Sequence, residues 1–273
     1  MIIGIFVTAL FFLGLIFGSF ANVLIDRGQR KESLTGRSKC DSCNHQLRWL
    51  ENIPVISFLF LRGRCSSCKN KINWQYPLVE LVMAIQFSFV GWYVFSNKID
   101  YSLVLWQLIF LITISFLLLV IFIWDFKYLI IPNGMVAIGL AVTFFWKIFI
   151  FKKEALDPWD VNNSLWQSIL GGLVVSGFFY LLWLFSRGRW IGGGDVKLGA
   201  WLGFLVGWKM TYFFLLLTYL SGAIVAIILL LTKRKKMSSQ VPFGPFLIFS
   251  ATIILFWQQE ILNLYHKFLL NLL

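Results

Sequence analysis

Two carboxylates stand where an apolar chain has least use for them: Asp125 closes the run 117–124, and Asp195 follows Gly192-Gly193-Gly194. Moving a carboxylate toward hydrocarbon costs about 3 kcal/mol at the centre of a helix on insertion scales, so such residues are functional candidates by default. Taken singly, each aspartate is equally well explained as a helix cap or as a partner for nearby Lys127 or Lys197. As a pair they suggest an aspartyl hydrolase. That chemistry needs one carboxylate ionised to take a proton from water and one protonated to polarise the scissile carbonyl, and close like charges enforce the shared proton. The glycines before Asp195 permit backbone conformations closed to other residues and close approach by a substrate chain. Gly192 and Gly194 are therefore candidates for supporting the dyad or binding substrate. Lys197 either snorkels to headgroups, keeps Asp195 ionised, or contacts substrate. Other catalytic vocabularies are missing: there is no GxSxG, HExxH or GxxxxGK[ST], and a GxGxxG begun at Gly192 fails at Lys197.

The second chemical feature is sulfur. All four cysteines fall in two knuckles, Cys40-x-x-Cys43 and Cys65-x-x-Cys68, with 21 residues between the pairs. Paired knuckles at this separation match a four-cysteine zinc site, whose role is structural because four thiolates leave no open position on the metal. Two disulfides or four free thiols are the alternatives, and disulfides need an oxidising compartment. His45 is expected to be a solvated surface histidine.

The elements that must position these residues are set by hydropathy. With 273 residues, 59% of them apolar, 29 Phe, 13 Trp and a mean hydropathy of +0.80, the chain reads as an all-α polytopic membrane protein. Apolar runs near 2–25, 77–96, 102–124, 129–151, 164–186, 196–208, 210–232 and 243–265 predict about eight transmembrane helices, against the roughly 20 residues that a span needs. The sixth is short and carries Gly199, Gly203 and Gly207 at a spacing of four, the pattern of a close-packing face in a buried span. Gly14 and Gly18 read the same way. The expected organisation is a first transmembrane helix (1–25), a polar four-cysteine domain (26–76) and a seven-helix core (77–273).

Orientation follows from the basic residues. Ten lie between the first two spans (Arg27, Arg30, Lys31, Arg37, Lys39, Arg48, Arg62, Arg64, Lys69 and Lys71), and Lys233, Arg234, Lys235 and Lys236 precede the last. These loops are expected in the cytoplasm, with both termini outside and both aspartates facing the cytoplasm. Residues 1–25 have charges only after the apolar run and are expected to be a span, not a cleaved signal. The net charge of +12 is then a matter of topology and contact with anionic membrane lipids, and no nucleic-acid partner is expected.

Several blocks together resemble the type IV prepilin peptidases, membrane aspartyl proteases of the GxGD kind. They are Gly18-Ser19-Phe20-Ala21-Asn22-Val23, the two knuckles, Asn52-Ile53-Pro54, Leu61-Arg62-Gly63-Arg64-Cys65, Tyr76-Pro77-Leu78-Val79-Glu80-Leu81, Asp125 with Ile131-Pro132, Gly194-Asp195-Val196-Lys197-Leu198 and Pro242-Phe243-Gly244-Pro245. The resemblance implies an eight-helix fold in the bacterial inner membrane, a cytoplasmic zinc-binding loop, and Asp125 and Asp195 as the catalytic pair. It further implies cleavage of prepilin or pseudopilin leaders after a glycine at the cytoplasmic edge. In many members the new terminus is then N-methylated with S-adenosylmethionine, and no cofactor fingerprint beyond the resemblance marks that site. Its place is expected at the polar loop and its membrane junction near Glu80. Trp190 stands where a further glycine is expected, with a stiffer loop as the consequence, and Asn133 stands where aspartate is common. A GxGD protease with other substrates, a transporter and an anchored zinc-ribbon interaction protein are the alternatives. A transporter would usually show paired broken helices in two related halves, whereas one glycine-interrupted segment is visible here.

Overall fold

The computed structural model describes residues 2–96, 101–154, 164–232 and 241–270. Nine α-helices occur among them: α1 (Ile2–Arg30), α2 (Ile56–Phe60), α3 (Gln75–Ser96), α4 (Tyr101–Tyr128), α5 (Asn133–Glu154), α6 (Ser164–Ser186), α7 (Gly193–Val206), α8 (Trp208–Leu231) and α9 (Gly244–Leu270). Extended pairing among the described residues is confined to two isolated bridges, Lys39 with Gln46 and Arg64 with Lys71. Each of the eight apolar runs is a helix. Six of these, α1, α3, α4, α6, α8 and α9, are long and apolar enough to cross a bilayer, so the chain is a multi-pass membrane protein. The 14 residues of α7 extend roughly 21 Å, short of the roughly 30 Å hydrocarbon core. The basic cluster Lys233–Lys236 lies outside the described residues.

The chain divides into two compact units, residues 1–120 and 121–273. In the first, α1 packs on α3 at backbone distance. A Cβ on Gly14 would lie 2.5 Å from the Ala84 Cα, and one on Gly18 would lie 2.5 Å from the Glu80 Cα. Any larger residue would therefore force the helices apart, as the packing-face expectation requires. Ala21, Ile25, Met83, Ala84 and Phe87 are fully buried. The polar end of the hairpin is tied by Asn22 Nδ2 donating to the Tyr76 carbonyl (3.1 Å) and the Tyr76 hydroxyl donating to Asp26 Oδ2 (2.8 Å).

In the second unit α7 is the central element, apolar on every side and buried along most of its length, which is how a helix without a polar face is accommodated. It packs against α5, α6 and α9. A Cβ on Gly199 would lie 2.7 Å from the Phe179 ring and one on Gly203 2.5 Å from the Gly171 carbonyl, both on α6. Opposite, the fully buried Trp201 ring occupies the space over Gly139 of α5 and donates Nε1–H to Thr143 Oγ1 (3.0 Å). Gly207 closes this packing stripe, its Cα lying 2.9 Å from where a Cβ on Gly171 would stand. Its φ of +82° ends α7 and begins α8, a left-handed turn that glycine adopts without steric cost.

Candidate active site and metal centre

Asp125 sits in the last turn of α4, 4% exposed. The helix stops just beyond it, where Leu129 (φ 56°) donates its N–H to the Asp125 carbonyl (2.8 Å). Pro132 then leads directly into α5. The Asp125 side chain points the other way, with Oδ2 accepting the backbone N–H of Gly244 (3.1 Å). Gly244 is the first residue of α9, so this carboxylate rests on a helix N-terminus, where unpaired N–H groups and the helix dipole favour an anion.

Asp195 reaches the same kind of support from its own helix. It is the third residue of α7, 9% exposed, and its Oδ2 accepts the N–H of the N-capping residue Gly192 (3.1 Å). The two carboxylates lie within coulombic reach of each other. The structure thus brings the two sequence-predicted acids together.

Of the two roles expected of the glycines before Asp195, unusual dihedral angles and room for close approach, the first is not used. None of Gly192, Gly193 and Gly194 has a left-handed φ, and the last two already belong to α7. What they provide is space. A Cβ on Gly194 would press on Ile131 at 3.2 Å, one on Gly192 would lie 3.4 Å from Asp195 Oδ2, and one on Gly193 would meet nothing within 4 Å. Lys197 is exposed and donates from Nζ to Asn133 Oδ1 (3.0 Å), joining the start of α5 to α7. Among the described residues it forms no ion pair with Asp195. The Trp190 ring is 74% exposed and so does not stiffen the loop by packing. Gly244 is the site residue that sequence reasoning missed as such, because the contact joins positions 119 apart.

The four cysteines come together in the first unit. Their Sγ atoms lie within 4.8 Å of one another, with Cys40–Cys68 at 3.9 Å and Cys43–Cys65 at 4.0 Å, and the cluster can hold a metal ion. The two knuckles are built alike. Cys40 N–H donates to the His45 carbonyl and Asn44 N–H returns to Cys40 O; likewise Cys65 N–H donates to Asn70 O and Lys69 N–H returns to Cys65 O. Asn44 (φ 55°) and Lys69 (φ 61°) take the left-handed position that closes each turn. Backbone N–H groups of Cys68 and Ser67 aimed at Cys65 pull its thiol down, toward the thiolate form that metals bind, while desolvation and the neighbouring sulfurs push the Cys68 thiol up. His45 is half-buried, with Nε2 3.5 Å from Glu51, rather than solvated. Hydrogen bonds from the Ser66 hydroxyl and the Arg48 N–H hold the Glu51 carboxyl below the usual range.

Where this module meets the hairpin, Glu80 is buried and its Oε2 accepts the Val55 N–H (2.7 Å). Val55 has φ 60° and ψ −48°, with Ile56 N–H donating to the Pro54 carbonyl across it (2.6 Å). That is a γ-turn of the rare, strained kind, on a β-branched residue. Buried Asn22 Oδ1 has no hydrogen-bond partner among the described residues.

Together these features define a multi-pass helical membrane protein carrying a four-cysteine module and a pair of carboxylates at helix N-termini. The chain belongs to the type IV leader peptidase family, whose description matches residues 110–227. Residues 12–94 match the bacterial peptidase A24 N-terminal domain. Two relatives named prepilin leader peptidase/N-methyltransferase, from Stutzerimonas stutzeri and Pseudomonas aeruginosa, are each 30% identical over 287 aligned residues, covering 96% of this chain and 94% of theirs. The protein of the same name from Bacillus subtilis is 30% identical over 263 residues, covering 96% and 98%. No solved structure matches the chain.

Proposed function

We propose that the chain is a membrane aspartyl endopeptidase that cleaves the leaders of prepilin-like proteins after a glycine, on the cytoplasmic side of the bacterial inner membrane. The observation that carries this reading is the pair of buried aspartates, each resting on a backbone N–H at a helix N-terminus. One carboxylate, ionised, takes a proton from water as it attacks the scissile carbonyl; the other, protonated, polarises that carbonyl and later protonates the leaving amine. Gly192 and Gly244 orient the two groups, and the open space at Gly193 admits the extended substrate backbone. Purified chain incubated with one prepilin tests the reading: a single cut after glycine supports it, and an intact leader rejects it.

Lys197 is proposed to meet a substrate carboxylate. Prepilins of the family carry a glutamate a few residues after the cut, within an apolar helix, where it needs a counter-charge. Replacing Lys197 by Gln is expected to slow processing of a glutamate-bearing prepilin by about tenfold, the loss of one exchanged charge contact, and to affect its glutamine version little. Equal losses on both substrates would assign Lys197 to holding Asn133 and the loop.

The metal is proposed to be zinc, held by Cys40, Cys43, Cys65 and Cys68 in a structural role. Zn–S bonds of about 2.3 Å at tetrahedral angles put sulfurs about 3.8 Å apart, close to the 3.9 and 4.0 Å separations here. Elemental analysis is expected to find about one zinc per chain. Cys40→Ser or Cys65→Ser should speed amide exchange across residues 26–76 while part of the peptidase activity survives. A metal-free chain of unchanged exchange would reject the assignment.

N-methylation of the new terminus is proposed to follow, with S-adenosylmethionine supplying the methyl group. The junction of module and hairpin suits a cationic cofactor because it gathers acceptors: unpartnered Asn22 Oδ1, and Asp26 and Asp41 around the Tyr76 hydroxyl. Glu80 is engaged by Val55 and buried, so its part is to hold the junction.

A further inference from the structure

The surface of the cysteine module carries more bare apolar area than a solvated loop needs. On α2, Ile56, Leu59 and Phe60 are exposed, the last two by 65% and 84%, and their spacing of three and four sets them on one face. Phe58 points the opposite way, buried, with its ring 4.8 Å from that of Trp74. Trp49, in the 3₁₀ turn that packs on α2, and Trp74 are exposed by 77% and 72%. Exposed aromatic and aliphatic groups gathered in this way mark an interaction surface.

We propose that this face of α2 is seated in the headgroup region of an anionic bilayer, so that the module lies on the membrane instead of projecting into solvent. Two observations choose lipid as the occupant. The first is charge. Arg48, Arg62 and Arg64 flank the face and are exposed, and none makes an ion pair among the described residues. Glu51, the only acid between them, is turned inward to the Arg48 N–H. An apolar face rimmed by arginines complements acyl chains below anionic headgroups. The second is position. Trp74 immediately precedes α3, one of the helices that cross the bilayer, and tryptophan is the residue favoured at a membrane–water boundary.

The test uses the full chain in lipid nanodiscs with a fluorescent amino acid substituted at Phe60, at Leu59 in a second variant, and at exposed Arg37 as a control. A probe seated roughly 5–10 Å into the headgroup boundary should lose about half of its emission to lipids brominated in the acyl chain and little to aqueous iodide. The Arg37 position should show the reverse. Exchanging anionic for neutral lipid should lower the lipid quenching at positions 59 and 60. Iodide reaching positions 59 and 60 as readily as 37 overturns the proposal, as does indifference to lipid charge. Protection from both reagents also overturns it and assigns the face to a protein, a second copy of the chain included.

Discussion

Exchanging either aspartate for asparagine, as D125N or D195N, is expected to lower leader cleavage about 10²–10⁴-fold, the range typical of a positioned general acid or base. Asparagine keeps the shape of aspartate, and its carbonyl oxygen can still accept the N–H of Gly244 or Gly192, so the helix ends stay supported. What it loses is the exchange of a proton. Melting temperature and metal content should therefore match the parent chain while turnover collapses. The parent should show a bell-shaped dependence of rate on pH, because one carboxylate must be charged and the other neutral. Near-native turnover in either variant would remove that residue from the reaction.

The second large effect is expected from a residue with no ionisable group. In G244A the new methyl carbon would fall 2.6 Å from Asp125 Oδ2, closer than any carbon and oxygen can rest. Gly244 has no left-handed φ, so alanine does not strain its backbone. The movable part is the end of the Asp125 side chain, which must turn away from the N–H that held it. A displacement of about 1 Å at a reacting group can cost about 100-fold in rate, and kcat should fall by that order with KM little changed. The cost to stability should stay on the order of 1 kcal/mol. Native turnover would show that Asp125 works without this support, and an unfolded chain would show that Gly244 is needed for packing first.

Much of this was legible in the sequence, and the limits have physical causes. The eight apolar runs became helices because a span that satisfies its own backbone leaves few choices. The aspartates stood out because acids are rare in such runs, and the paired knuckles because two thiolates at that spacing turn toward one centre. Contacts between distant positions were hidden. Nothing local to Phe243-Gly244-Pro245 tells of Asp125, and nothing around Pro54 announces a γ-turn at Val55 pinned by Glu80. The triple glycine was read as permitting both unusual dihedral angles and close approach; α7 uses ordinary angles, and the missing side chains leave room for Ile131 and open space at Gly193. Gly207 serves twice, closing the packing stripe of Gly199 and Gly203 against Gly171 and turning the chain through its left-handed φ.

The backbone contact of α1 with α3 at Gly14 and Gly18, tied off by Tyr76 on Asp26, makes the cysteine module an insert in a helical hairpin whose two ends are already held together. Helix packing has met the entropy of closing that loop before the metal arrives. Insertions or deletions within it are correspondingly tolerable, since doubling a flexible loop adds only about 0.6 kcal/mol to its closure. Length changes outside the knuckles should thus leave the hairpin packed, and grafting the module onto another pair of close-packed helices requires ends equally near and an acceptor in the place of Glu80 for the Val55 N–H.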